Sequence, residues 1–177
     1  PINPPGRRLV NASAAGYRRD RLEELLRGNR KLGPQHLLAM QADLTSLRAR
    51  RLLRALRPAL PTTSRGRLLA DWDGAFTADS KGATLFERVR AAWTREAFGP
   101  LFERARLSCD VSDERVTLGL DPTVDFDRLW LESNPHVVHG RGWDDALLDP
   151  DHPVWAGRDP GELRAVAIDR GLSRAPV

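Results

Sequence analysis

The stretch from Leu68 to Trp93 constrains the fold of this chain more than any other part of its sequence. A short helical pattern stops at Asp73-Gly74, and a second pattern begins at Asp79-Ser80, where either residue can cap a helix. The second pattern repeats apolar residues at three- and four-residue steps, at Leu85, Phe86, Val89, Ala92 and Trp93. This spacing predicts an amphipathic helix whose apolar stripe faces a core.

Two further helices are predicted ahead of this stretch. One begins at Tyr17 and stops at Gly28-Asn29. The next opens at Gly33-Pro34, because proline suits the first position of a helix, and ends at Arg57-Pro58. Its apolar phase slips near residues 48–51, which predicts either a gentle bend or a change of packing partner there.

Beyond Trp93 the pattern is less regular. Gly99-Pro100 predicts a break in the long helix, and Arg115 to Leu120 is the best candidate for an internal strand. Short helices are predicted over residues 124–131, 144–148 and 161–168. The predicted fold class is therefore mainly α: an irregular, knob-like helical bundle with an extended N-terminal arm and at most one or two short strands.

The predicted organisation has three parts. Residues 1–16 form an extended arm, because prolines stand at positions 1, 4 and 5; residues 17–148 form the helical region; residues 149–177 form a C-terminal segment with one short helix. The start lacks an initiator methionine and a hydrophobic signal segment, so we expect a piece of a longer chain. No apolar run approaches the ~18 residues of a membrane span.

Charge is distributed unevenly along the chain. Residues 1–70 hold 15 Arg and Lys against 4 Asp and Glu, whereas residues 71–177 hold 13 against 20. The two halves could face one another, or each could dock on other parts of a larger protein. The basic residues Arg48, Arg50, Arg51, Arg54 and Arg57 could grip phosphates, but no aromatic residue is interleaved for base stacking. Nucleic acid is therefore not the favoured partner, although a helix-turn-helix stays open.

Few residues invite a catalytic or metal-binding interpretation. His136 and His139 have a ligand-like spacing but no third ligand, so a metal site is not expected. The single cysteine, Cys109, excludes an internal disulfide and is interpreted as a small semi-buried hydrophobe. Ser13 has no histidine and carboxylate near it in sequence to make it a nucleophile. Asp71 and Asp73 are interpreted as helix-end residues rather than an acid–base pair.

Four segments, in the same order, resemble the β-chain of the penicillin acylase family. The members of that family are N-terminal-nucleophile amidohydrolases. The segments are Gly16 to Leu22, Met40 to Asp43 with Ser46, Trp72-Asp73-Gly74 to Phe86, and Trp143 to Leu148. In that family a mostly helical knob projects from a catalytic β-sandwich, and this chain resembles the knob. The resemblance implies a parent enzyme that cleaves the amide between an acyl group and an amine, such as a β-lactam nucleus, an acylated lactone or a lipopeptide.

The resemblance also identifies what this chain lacks. The family nucleophile is a serine at the start of the β-chain with its own α-amino group as base, and Pro1 has neither a hydroxyl nor a primary amine. Asn11 lies where the family has an asparagine that helps to hold the oxyanion, while Ser13 stands where a second asparagine is expected. The alternative for Asn11 is a turn residue that bonds its local backbone.

We therefore expect a fragment that is inactive by itself, with the remainder of the parent acylase as its partner and a small acyl-amide as the parent's substrate. No cofactor is expected, although the resemblance implies a structural calcium ion in the parent and a compartment that is often periplasmic or secreted. The alternative is a stand-alone helical interaction module whose basic N-terminal half binds an acidic partner or nucleic acid. A homodimer of the isolated piece would follow if its apolar stripes were exposed.

Overall fold

A computed structural model describes residues 16–27, 32–104 and 141–173. These residues form seven α-helices: α1 Tyr17–Leu26, α2 Pro34–Gln41, α3 Leu47–Leu56, α4 Ser64–Asp71, α5 Lys81–Arg104, α6 Arg141–Leu148 and α7 Pro160–Ser173. Short 3₁₀ turns cover Arg57–Ala59 and Pro153–Trp155. Within the described ranges there is no strand, only an isolated bridge between Thr45 and Ala75. The mainly α fold class is thus confirmed.

Several sequence predictions fall outside these ranges. They are the extended arm up to residue 15, the strand at residues 115–120, the helix at residues 124–131, and the side chains of Asn11, Ser13, Cys109, His136 and His139. The division of the chain at residue 149 also stays a prediction. None of the described helices combines the length and the apolar character that crossing a membrane requires.

Polar capping residues determine where α4 and α5 begin. The hydroxyl of Thr63 accepts a hydrogen bond of 3.2 Å from the Gly66 amide at the start of α4, and that of Ser80 accepts one of 3.1 Å from the Ala83 amide at the start of α5. Between them, Gly74 has a φ of 87°, a left-handed conformation that favours glycine. The predicted stop and restart are both confirmed.

Helix α5 lies at the centre of the core, with α7 packed along it and α4 beside it. The predicted stripe is confirmed: Leu85, Phe86, Val89 and Trp93 are fully buried, and Ala92 packs against the same cluster. The backbones of α5 and α7 approach so closely that a Cβ atom on Gly171 would lie 2.6 Å from the Cα of Val89. The glycine is therefore what permits this crossing.

The single helix predicted from Gly33 to Arg57 is wrong, because α2 and α3 are separate. Between them the amide of Ser46 donates to the carbonyl of Gly74 at 2.9 Å, and the amide of Phe76 donates to the carbonyl of Leu44 at 3.1 Å. These strand-like contacts use backbone groups that a continuous helix would need for itself. The shift in the apolar pattern did indicate a change of packing. The helix break itself, however, lies at residues 42–46, ahead of the predicted position at residues 48–51.

The predicted break at Gly99-Pro100 is also wrong, because α5 runs through it to Arg104. Proline has no N–H, so the carbonyl of Glu96 loses the donor that a helix normally supplies four residues later. Arg158 replaces it, donating to the carbonyls of Glu96 at 2.6 Å and Ala97 at 2.9 Å. A side chain from a distant turn therefore satisfies the carbonyls next to the proline.

Arg158 is one of several arginines that donate to main-chain carbonyls of another element. The pairs are Arg18 with Met40, Arg50 with Asp73, Arg57 with Ala70, Arg65 with Leu172 and Arg164 with Ala55. Most of these carbonyls lie in the last turn of a helix or just beyond it, where they have no intrahelical donor. A planar guanidinium suits this task better than an ammonium group, since it carries several donors in a fixed geometry. Much of the arginine in the described part is therefore architectural.

Candidate functional site

A fully buried carboxylate, Asp144, lies where three helices meet. It is in the first turn of α6, where a negative charge is favoured by the helix dipole. Arg48 of α3 donates from Nε to both carboxylate oxygens at 2.9 Å and from Nη2 to Oδ1 at 2.8 Å. The hydroxyl of Tyr17, the first residue of α1, donates to Oδ2 at 2.9 Å. The buried charge is thus paired and hydrogen-bonded.

Arg51 and Asp145 extend this arrangement towards the surface. Arg51 donates to the hydroxyl of Tyr17 at 3.0 Å and forms an ion pair with Asp145, whose side chain is 58% exposed. Burial and the nearby charge of Asp144 raise the pKa of Tyr17, while the hydrogen bond from Arg51 opposes that rise. We call these five residues, Tyr17, Arg48, Arg51, Asp144 and Asp145, the Asp144 cluster.

A second ion pair fixes the other side of α1. Arg21 donates from Nε and Nη2 to the two carboxylate oxygens of Asp43, each at 3.0 Å. The guanidinium of Arg21 holds the pKa of Asp43 below its ordinary value, and the same hydrogen bonds raise the pKa of Arg21. Because Asp43 lies two residues beyond the last residue of α2, this pair ties α1 to the end of α2.

The segments singled out in the sequence are joined to each other by these contacts. Tyr17 and Asp144 link the first segment to the last, and Arg21 and Asp43 link the first to the second. Ser46 and Gly74 link the second to the third. None of these groups is an exposed nucleophile beside a free base, and Asp144 is neutralised by Arg48. The contacts of these groups position the helices relative to one another.

The described histidines and Asp73 have structural roles. Nδ1 of His36 accepts from the amide of Gly33, and Nδ1 of His152 accepts from the amide of Val154, each at 3.1 Å. Asp73 accepts from the amide of Ala75 at 2.9 Å, which forms the turn after α4. These contacts agree with the interpretation of Asp73 as a helix-end residue.

The described residues do not fit the calcium ion that the resemblance implies. No three His, Cys, Asp or Glu side chains come together in the ranges that the structure covers. The two best-buried acids among the ion pairs, Asp43 and Asp144, are each occupied by an arginine.

Most arginines of the run from Arg48 to Arg57 donate to partners within the chain. Arg48 and Arg51 belong to the Asp144 cluster, Arg50 donates to the carbonyl of Asp73 at 2.7 Å, and Arg57 donates to the carbonyl of Ala70 at 3.0 Å. Arg54 is exposed. A phosphate-binding row would need these donors to be free.

Sequence reasoning missed the pairing of Tyr17 with Asp144. The two residues are separated by 127 positions, and no local pattern connects them. The only available signal was an aspartate beside the apolar residues Ala146 and Leu147 at the start of a short helix. An acid in such a position is either a cap or a buried partner of a base.

The described helices form a helical scaffold whose elements are joined by buried and half-buried ion pairs, and this defines the class of protein. A family model described as penicillin amidase matches residues 2–172, which is nearly the whole chain. The chain therefore belongs to the penicillin amidase family, and the resemblance stated from its four segments is confirmed. Comparison with curated proteins and with solved structures found no match.

Proposed function

We propose that this chain is a helical fragment of a penicillin-acylase-like amidohydrolase that cleaves acyl–amide bonds, and that it is inactive by itself. Membership of the family supports the parent activity. The observation that carries the scaffold role is the Asp144 cluster, in which a partly buried hydrogen bond between Tyr17 and Asp144 joins two of the family-like segments. Their polar groups are used for assembly of the helices.

In the assembled enzyme the nucleophile is supplied from outside this chain. A serine hydroxyl attacks the amide carbonyl, its proton passes through the serine's α-amino group to the departing amine, and water then hydrolyses the acyl ester. Asn11 would donate its side-chain amide to the oxyanion that forms at the carbonyl. Such a donor contributes about 3 kcal/mol in comparable sites.

The order of elements supports this role for Asn11. It precedes α1 by only six residues, and Tyr17 at the start of α1 is anchored by Asp144 and Arg51. A short connection to a fixed helix start limits the positions that a donor can reach, and fixed donors are the effective ones.

The experiment is steady-state hydrolysis of phenylacetyl and long-chain acyl amides by the assembled acylase, with either wild-type or Asn11→Ala chain. Asn11→Ala should lower kcat about 100- to 1,000-fold with little change in KM, because the bond to the oxyanion is made only in the transition state. An unchanged kcat would remove Asn11 from the mechanism.

The alternative, a stand-alone module that binds an acidic partner or nucleic acid, is not favoured by the described contacts. Arg48, Arg50, Arg51 and Arg57 already have internal acceptors. Binding to duplex DNA or to an acidic peptide whose affinity falls steeply with salt would favour this alternative instead.

A further inference from the structure

Helix α1 takes no part in the apolar core of the described residues. None of its ten residues is buried. That core begins at Ala49 and contains side chains of every later helix, but none of α1. Leu22 and Leu25 are half-buried, and both lie outside the core cluster. Burial in this core, the dominant favourable term in folding, therefore does not hold α1 in place.

Within the described ranges, three side chains of α1 form hydrogen bonds with other elements. The pairs are Tyr17 with Asp144 and Arg51, Arg18 with Met40, and Arg21 with Asp43. A spacing of three and four residues puts Tyr17, Arg18 and Arg21 on one side of the helix. We call these three residues the docking face. The other side carries Arg19 and Glu23, which are exposed and pair with each other.

Polar contacts of this kind contribute less to docking than a buried apolar face would. A typical hydrogen bond changes an equilibrium constant by a net factor of about five, because water bonds the same groups when they separate. The side chain of Arg18 is 50% exposed, which weakens its contribution further. Elements with few buried apolar contacts open locally, at a lower free energy than the whole chain unfolds. Helix α1 should therefore open before the core does.

The opening of α1 does not leave Asp144 as an unpaired buried charge. Release removes the hydrogen bond from Tyr17, but Arg48 of α3 still donates to both carboxylate oxygens. An ion pair that keeps both partners avoids the large penalty of a lone buried ion. The Asp144 cluster can thus lose α1 and still join α3 to α6.

We propose that α1 is a releasable helix, which leaves α3 and α6 through loss of the docking face while α5 and α7 stay packed. A free helix of ten residues is unstable in water, so released α1 unfolds and exchanges its amide hydrogens. Release also uncouples α1 from α6, because the contact between Tyr17 and Asp144 is broken. This proposal is independent of the parent activity.

Native-state hydrogen exchange of the full chain, followed for the amides of residues 21–26 and of α5, tests the proposal. In the wild-type chain the α1 amides should exchange at least about tenfold faster than those of α5, after correction for intrinsic rates. Arg21→Gln should speed exchange in α1 about tenfold further, because a charge-assisted contact with Asp43 is lost. Arg19→Gln is the matched control: Arg19 pairs with Asp20 and Glu23 of its own helix, so exchange should change less than about threefold.

Substitutions in α7 separate release of α1 from unfolding of the whole chain. Gly171→Ala crowds Val89 of α5, so the α5 amides should exchange about 30-fold faster while those of α1 change less than about twofold. Ile168→Val is a milder change at a buried position of α7, for use if the first variant does not fold. It should speed α5 exchange about fivefold, with the same selectivity.

Equal acceleration of α1 and α5 by either α7 substitution would overturn the proposal, because α1 would then open only when the whole chain unfolds. Equal effects of Arg21→Gln and Arg19→Gln on α1 would also overturn it, since the docking face would contribute nothing. So would α1 amides without measurable protection in the wild-type chain, because no docked state would then exist to be released.

Discussion

The hydroxyl of Tyr17 donates a 2.9 Å hydrogen bond to the buried carboxylate of Asp144, which lies 127 residues further along the chain. It brings the start of α1 and the start of α6 into one cluster with Arg48 of α3. A charge buried in this way is stable only while its partners stay in place. The stability of the scaffold should therefore depend on Asp144 more than on any of its exposed acids.

Substitutions in the Asp144 cluster test this dependence. Asp144→Ala should lower the free energy of unfolding by about 3 kcal/mol, because it leaves the guanidinium of Arg48 without its carboxylate. Tyr17→Phe should cost about 2 kcal/mol, because the Tyr17 hydroxyl both donates to Asp144 and accepts from Arg51. Asp145→Ala is the matched control on the next residue, and since Asp145 is exposed it should cost no more than about 0.5 kcal/mol. Urea unfolding measures all three, and equal effects of Asp144→Ala and Asp145→Ala would contradict the account.

The ion pair between Arg21 and Asp43 should make the free energy of unfolding depend on pH in the acidic range. Because the folded pKa of Asp43 lies below its unfolded value of about 3.9, the pair stabilises the fold fully above that value. Its contribution is lost as the pH falls through the lower, folded pKa. The wild-type chain should therefore lose stability more steeply than Asp43→Asn between about pH 5 and pH 2. Parallel curves of unfolding free energy against pH for the two proteins would show that the pair contributes nothing.

The contribution of Arg158 to stability should depend on the presence of Pro100. Arg158→Lys should destabilise the chain by about 2 kcal/mol, since one ammonium group cannot reproduce the contacts of the guanidinium with the carbonyls of Glu96 and Ala97 while it also donates to those of Val154 and Trp155. In a Pro100→Ala background the cost should fall, because residue 100 then supplies an N–H to the carbonyl of Glu96. A double-mutant cycle by chemical denaturation measures this coupling. Additive effects of the two substitutions would argue against the role assigned to Arg158.

Any side chain at position 171 should destabilise the packing of α5 against α7. Gly171→Ala would place a Cβ 2.6 Å from the Cα of Val89, a backbone atom that cannot move aside cheaply. Alanine is favoured over glycine inside a helix by about 1 kcal/mol, yet we expect a net loss of about 2 kcal/mol from overpacking. Thermal unfolding measures the difference. A rise in Tm would mean that the two helices separate at little cost.

Features that depend on residues close together in the sequence could be predicted from it, whereas features that depend on distant residues could not. The stop at Asp73-Gly74, the restart at Ser80 and the buried stripe of α5 depend on residues within one or two turns of each other, so local chemistry determines them. The break between α2 and α3 depends on pairing with Ala75, and the continuity of α5 depends on Arg158. Those partners lie at least 30 residues away, beyond the reach of any local pattern.

The candidate site shows the same division. The family resemblance was predictable because its segments are short and ordered, whereas their mutual contacts were not. Asp43 and Asp144 are ordinary acids in the sequence, and only the fold brings Arg21 and Arg48 to them. The role of Asn11 stays a prediction, since that residue is outside the described ranges.

The most direct test of the central claim is release of free amine from phenylacetyl and long-chain acyl amides, measured for the purified 177-residue chain and for the assembled acylase. We predict turnover by the assembled enzyme and none by the isolated chain, although circular dichroism should show that the isolated chain is helical. Amine release by the isolated chain at the rate of the assembled enzyme would contradict the account, because the chemistry would then lie within this scaffold.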